Sequence, residues 1–205
     1  GGSGESMNLI NAKYGNTPGI KAYTHISDQY SPFAIKTIPA TAHEAPYILD
    51  GLTMNDAGKR IKEHYADTGG FTDHVFAMCA LLGYQFAPRL RNLSSLNLYG
   101  IRGITLPKIM QELIKAKVNI ARIESQWPDI IRLIASVITH RVVPSDILRQ
   151  LASFPRQNEL AIALREIGRI ERTIFILSWI SSVDMQRRAQ IGLNKGEAHH
   201  ALKRA

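Results

Sequence analysis

The 205 residues hold a single cysteine, Cys79, and no CxxC pair. An internal disulfide and a cysteine-rich zinc site are therefore both excluded. Cys79 lies in an apolar run, where a buried, inert thiol is expected. No apolar stretch approaches the ~20 residues of a membrane-crossing helix, and no charged-then-apolar leader opens the sequence, so the default reading is an intracellular protein with no membrane partner. Histidines do not pair at zinc-ligand spacing: His25, His43, His64, His74 and His140 are scattered, and the adjacent His199 and His200 would diverge on a helix. Packing or surface roles are expected for all of them. A GxSxG elbow and a GxxxxGK[ST] phosphate loop are also missing, and the opening GGSG has no flanking strand and helix to make it a phosphate cradle. Acid is the scarce charge, with 17 Asp and Glu against 25 Lys and Arg, a formal net charge of +8. Such a balance points to an anionic partner, of which nucleic acid is the commonest; a basic protein with no such partner is the simpler alternative.

What is present is a globular composition, 45% hydrophobic and 20% charged. Residues 1–18 carry glycine, Asn and Pro18 without a period and read as loop. Lys21–Ser27 and Phe33–Ile38 alternate as strands, with SDQYSP between them as hairpin turn chemistry. Glu44 to Met54 reads as a helix, Ile61–Ala66 as a strand, and Thr72 or Asp73 as the cap of a helix ended by Gly83. Tyr84–Ala87 is a further strand, stopped by Pro88. This order predicts a mixed α/β sheet. From Asn92 to Ser153 the pattern turns helical, best over Pro107–Val118 and Trp127–Ile138. The expected organisation is a core at 1–91, an all-helical insertion at 92–153, and a long helix with C-terminal helices at 154–205.

The run from Phe154 to Thr173 is the most informative. It reads as a loop opening into one long helix whose apolar face is Leu160, Ala163, Leu164, Ile167, Ile170, Ile174 and Leu177. Arg165, Arg169 and Arg172 recur on the far face, and Glu166 falls at the border. A solvated charged face is the simplest explanation of such a pattern; a carboxylate reaching a cleft beside phosphate-binding guanidinium groups is the functional one. Asp67 is the second candidate. It ends a strand before a Gly-Gly turn and a helix, a place where sites form in α/β sheets, although an acid there can also merely cap a turn. Asp73, at the helix start, is better explained as a cap. Two carboxylates in a basic fold suit magnesium, which takes one or two carboxylates plus phosphate oxygens.

Longer motifs surround these acids: NAKYG at 11–15, YTHISDQYSPF at 23–33, YILDGL at 47–52, HYADTGGFTDHVFAMCALLGYQFAPRLR at 64–91, ASFPRQNELAIALREIGRIERTIFIL at 152–177 and QIGLNKGEAHHAL at 190–202. Together, over nearly the whole chain and in order, they resemble the catalytic region of the replicative, cointegrate-forming class II transposases of the Tn-three family. GGSGES resembles that family's own glycine-rich segment rather than a linker. The resemblance implies a ribonuclease-H-like fold with an Asp, Asp, Glu triad binding Mg2+, with Mn2+ as an alternative. It implies nicking at transposon ends and joining of the freed 3′ hydroxyls to target DNA, by a homodimeric, nucleoid-associated protein of the bacterial cytoplasm. By motif, Asp67 is the second acid and Glu166 the third, both metal ligands. Glu159 lies outside the family's acid position. Arg156, Arg169 and Arg172 match a basic motif expected to contact DNA.

The family's first Asp sits in a central strand that would lie upstream of residue 1. Asp28 and Asp50 do not match it. Without that strand, the 21–38 hairpin and the 61–66 strand are each expected to lose a partner, and the chain alone is expected to be inactive. A non-catalytic DNA-binding or assembly remnant is the alternative, and a nuclease of the same fold acting by water attack a third reading.

Overall fold

The computed structural model describes residues 9–10, 18–29, 31–56, 61–67, 72–90, 97–105, 107–153 and 158–202. Its architecture is mixed α/β, with the strands divided among separate small sheets. Strand β1 (Leu9–Ile10) pairs antiparallel with β2 (Pro18–Ile26), which pairs antiparallel with β3 (Pro32–Pro39). A 3-10 turn at Ala45–Tyr47 leads into α1 (Ile48–Thr53). Strand β4 (Glu63–Ala66) pairs in parallel with β5 (Gln85–Pro88), and α2 (Asp73–Leu81) connects them. Beyond lie β6 (Leu98–Gly100), the single turn α3 (Lys108–Gln111), and β7 (Ile114–Lys117), which pairs in parallel with β6. The helices α4 (Ile120–Ile138), α5 (Pro144–Ser153), α6 (Glu159–Ser181) and α7 (Val183–Leu202) complete the chain.

The core forms where α2 lies against α6. α2 is apolar nearly all round, and Val75, Phe76, Ala77, Met78 and Cys79 are buried, as expected of a helix covered on more than one side. Phe76 joins the layers: its ring lies 5.0 Å from Phe86 on β5 and 5.6 Å from Phe175 on α6. Thr72 caps α2 by accepting the Val75 N–H, and Gly83 ends it at φ +83°. The two helices meet so closely that a Cβ on Gly168 would sit 1.7 Å from the Asp73 carbonyl oxygen. His74 Nε2 adds a 2.8 Å hydrogen bond to the Ala161 carbonyl on α6. A second polar tie joins α5 to the core: buried Asp50 on α1 accepts the Ser145 N–H at 2.8 Å and its hydroxyl at 2.6 Å, and Lys36 on β3 pairs with the same carboxylate.

Several expectations need correction. The insertion at 92–153 is not all-helical, because it contains β6 and β7. Within Pro107–Val118 the helix stops after one turn, and IKAKV runs on extended; backbone pairing with β6 outweighs a helical period only weakly expressed there. Residues 1–18 are not wholly loop, since Leu9–Ile10 pair with β2. Pro88 closes β5 as its last residue rather than standing outside it. On α6, Ile174 is 53% exposed although it continues the apolar stripe. The arginine side is no solvated face, because α2 packs on it.

Adding one methyl at the α2–α6 contact tests how tightly it is built. Gly168→Ala should destabilise the protein by about 3 kcal/mol, the upper end for overpacking a close contact. A urea unfolding midpoint reads the loss. Gly196→Ala on α7, where a Cβ meets nothing within 4 Å, should leave the midpoint unchanged or slightly raised.

Candidate active site

Glu166 lies two turns into α6 and is 4% exposed. A buried carboxylate needs partners, and both oxygens have one. Arg169 Nη1, one turn later, donates to Oε1 at 2.6 Å, and the Asn119 backbone N–H donates to Oε2 at 3.0 Å. Asn119 stands between β7 and α4 and caps α4 by accepting the Arg122 N–H. The β6–β7 part of the insertion therefore leads directly onto the acid.

Arg169 and Arg172 are gathered around Asp73 and Tyr99. Arg172 Nη1 lies 2.7 Å from Asp73 Oδ1, and Arg169 Nε lies 3.9 Å from Asp73 Oδ2. The Tyr99 ring on β6 packs under both guanidinium groups, at 4.7 Å from Arg169 and 5.1 Å from Arg172, and its hydroxyl accepts from Arg172 at 2.9 Å. Tyr99 is fixed in turn by its N–H donating to Thr173 Oγ1 at 3.0 Å. Since Thr72 supplies the α2 cap, Asp73 is not spent on capping and serves these arginines. Capping was the better sequence explanation for Asp73, and only the fold reveals the ion pair. Tyr99 and Asn119 carried no sequence signal of a role at all.

Asp67 directly follows β4 and is half exposed. Parallel pairing of Ala66 with Pro88 brings the next residue of each strand together, and Arg89 Nη2 lies 3.0 Å from Asp67 Oδ1. The two candidate acids are thus each held by an arginine. They are linked through α2, whose first residue, Asp73, follows Asp67 closely in sequence and touches Arg169, the partner of Glu166. Arg156 lies outside the described residues. Glu159 pairs with Arg122 at 3.6 Å. Among the described residues no three metal-ligating side chains cluster. Hard carboxylate oxygens suit a divalent cation, but these two acids do not complete a site between them.

Asp67 also borders a large cleft, about 1390 Å³, walled by β2 residues such as Tyr23 and His25 on one side and by β4 residues such as His64 and Tyr65 on the other. Neither sheet crosses it. α7 closes another side through Ile191 and Gly192, and Arg188 pairs with Glu63 at 3.4 Å. In the wall, the scattered histidines of the sequence become a pair: the His25 and His64 rings lie 5.5 Å apart. Burial lowers His25 from 6.5 to about 4, partly offset by the Tyr47 backbone and by Asp50. Burial, aided by His25, lowers His64 to about 3.

This arrangement is an α/β domain with two carboxylates, each beside an arginine, at the ends of a strand–helix unit and a long helix. The sequence matches the family described as the Tn3 transposase DDE domain over residues 2–205, and the chain belongs to that family. It is 50% identical over its whole length to the transposase for transposon Tn501 of Pseudomonas aeruginosa, covering 21% of that protein. Identity is 48% to the transposase for Tn21 of Escherichia coli, over 98% of this chain and 20% of the relative. It is 42% to the transposase for Tn1546 of Enterococcus faecium, over 95% and 20% respectively. The chain spans about a fifth of the length of the curated relatives it matches. No described helix is long and apolar enough to cross a membrane.

The histidine pair sets a pH dependence. Both rings are neutral when folded and protonate near 6.5 when unfolded, so between pH 6.5 and about 4 the unfolded chain binds more protons and stability falls as pH falls. Titration of thermal stability from pH 7 to pH 4 should show this loss, and His64→Phe should shallow it. An unchanged slope in that variant would remove His64 from the account.

Proposed function

We propose that this chain is the catalytic region of a DNA transposase, nicking transposon ends and transferring the 3′ hydroxyls into target DNA, with Asp67 and Glu166 as two of its three acids. The observation that carries this reading is the cleft at Asp67. The sheet of β1, β2 and β3 lines one wall and the sheet of β4 and β5 lines the other, and no described strand joins them. An upstream strand there would join the two sheets and deliver the first acid beside Asp67. On this reading Asp67 and Glu166 act only together with that third acid.

Mg2+, or Mn2+ in its place, when bound by such acids activates the attacking oxygen and stabilises the charge on the leaving one. The protein's own groups do the rest. Arg169 and the Asn119 N–H hold the Glu166 carboxylate in one orientation, and Asp73 with Tyr99 holds Arg169. Arg89 steadies Asp67. Contact of Arg169 or Arg172 with DNA phosphate competes with Asp73 and Glu166, whereas Arg156 is assigned to DNA on its motif alone. The active protein is a homodimer bound to DNA at the bacterial nucleoid. A non-catalytic DNA-binding remnant is the second reading, favoured by the fact that both Glu166 oxygens are already engaged.

Magnesium- or manganese-dependent nicking and joining of a transposon-end duplex separates these readings. The chain and the chain extended through the upstream strand are compared, each with and without Glu166→Gln. Joining should occur in the extended, Glu166-intact protein and fall to background in the other three. Activity in the short chain would mean that another residue supplies the first acid, and inactivity in all four would favour the remnant.

A further inference from the structure

Among the described residues most arginines are spoken for: Arg89, Arg122, Arg132, Arg149, Arg169, Arg172, Arg187 and Arg188 each face a carboxylate. The module from β6 through α3 to β7 is different. Arg102, Lys108, Lys115 and Lys117 are all exposed, and among the described residues none is ion-paired. Glu112 is the single acid between Asn97 and Val118. Lys115 and Lys117, two apart on β7, project to the same side of the strand. Two apolar side chains stand out beside these cations, Ile104 at 60% and Ile109 at 84% exposure. The base of the module sits on the candidate acid. Tyr99 on β6 stacks under Arg169 and Arg172, Val118 N–H bonds the Gly100 carbonyl at 2.9 Å, and the next N–H, that of Asn119, holds Glu166.

From this placement we infer that the β6–α3–β7 module is a DNA-gripping surface: Arg102, Lys108, Lys115 and Lys117 bind duplex phosphates leading away from Glu166, and Ile104 and Ile109 press against a base step. The inference rests on the transposase reading for its choice of partner. Charge complementarity selects the occupant, since four unpaired cations against one acid fit a polyanion, and phosphate contacts need no particular base sequence. Exposed isoleucines beside phosphate-binding cations match the way apolar wedges open a base step once the backbone is held. β7 runs into Asn119, which holds Glu166, so DNA bound along the module reaches the Glu166 turn of α6. Asn119, which both ends the module and grips Glu166, then carries the effect of DNA binding directly to the carboxylate.

Fluorescence anisotropy with an arbitrary 30-base-pair duplex, repeated across salt concentrations, tests the surface. The comparison is between the chain, the quadruple variant Arg102→Gln/Lys108→Gln/Lys115→Gln/Lys117→Gln, and the double variant Ile104→Ser/Ile109→Ser. The affected positions are exposed, so thermal stability should be unchanged in both. The quadruple variant should flatten the slope of log affinity against log salt by about 0.9 for each phosphate contact removed, some 2 to 4 in all. The double variant should keep the slope, bind roughly threefold to tenfold more weakly, and lose any fluorescence rise of 2-aminopurine placed in the duplex. A quadruple variant that keeps the wild-type slope would overturn the surface while leaving DNA as the partner. If the unaltered chain failed to bind DNA even at low salt, the transposase reading of the chain would fall as well. If it bound polyglutamate as tightly as DNA, and the quadruple variant lost only the polyglutamate, the surface would belong to an acidic protein instead.

Discussion

The contact between α2 and α6 at Gly168 is the constraint on which the site depends. A hydrogen atom in place of a methyl lets the first turn of α2 touch the α6 backbone, with 1.7 Å separating a hypothetical Cβ from the Asp73 carbonyl. Once the helices are that close, Asp73 reaches the guanidinium groups of Arg169 and Arg172, and His74 reaches the Ala161 carbonyl. Because α2 also connects β4 to β5, the same contact fixes where β4 ends. Asp67 and Glu166 lie on segments remote in sequence, and this one junction relates them in space.

Charge is distributed accordingly. A net charge of +8 would suggest arginines turned outward to a polyanion, yet Arg169 and Arg172 of α6 turn inward. Buried or half-buried guanidinium and carboxylate groups are tolerated only when paired and hydrogen-bonded, and Asp73, Glu166 and Tyr99 provide that pairing. The inward arginines hold Glu166, while Arg102, Lys108, Lys115 and Lys117, exposed and without an ion pair among the described residues, lie in the insertion. Basicity here has two jobs, one structural and one at the surface, and composition cannot tell them apart.

Much of the frame was legible in the sequence because it rests on local signals. The alternation of 21–27 and 33–38, a cap of α2 at Thr72 or Asp73, the end of that helix at Gly83, and the period of α6 all follow from neighbouring residues. β6 and β7 were missed because they are short and their pairing partner is some fifteen residues away, so no period could reveal them. Ile174 continues a helical stripe and is nevertheless 53% exposed. At the site, Asp67 and Glu166 stood out by position and by family motif. The roles of Asp73, Tyr99, Asn119 and Arg89 did not, because each depends on an interaction between residues far apart in the chain. The pairing of His25 with His64 is of the same kind, two residues made neighbours by facing walls of a cleft.

The proposed metal site requires that the α2–α6 junction hold Asp67 and Glu166 at one end of the fold. Iron-directed hydroxyl-radical cleavage of the backbone tests it most directly, with Fe2+ supplied in place of Mg2+ to the chain extended through the upstream strand. Cuts near both residue 67 and residue 166 are predicted, suppressed by excess Mg2+ and lost together in Asp67→Asn or in Glu166→Gln. Cuts near one acid alone, or cuts near residue 67 that persist in Glu166→Gln, would show that the two carboxylates do not share an ion and would contradict the account.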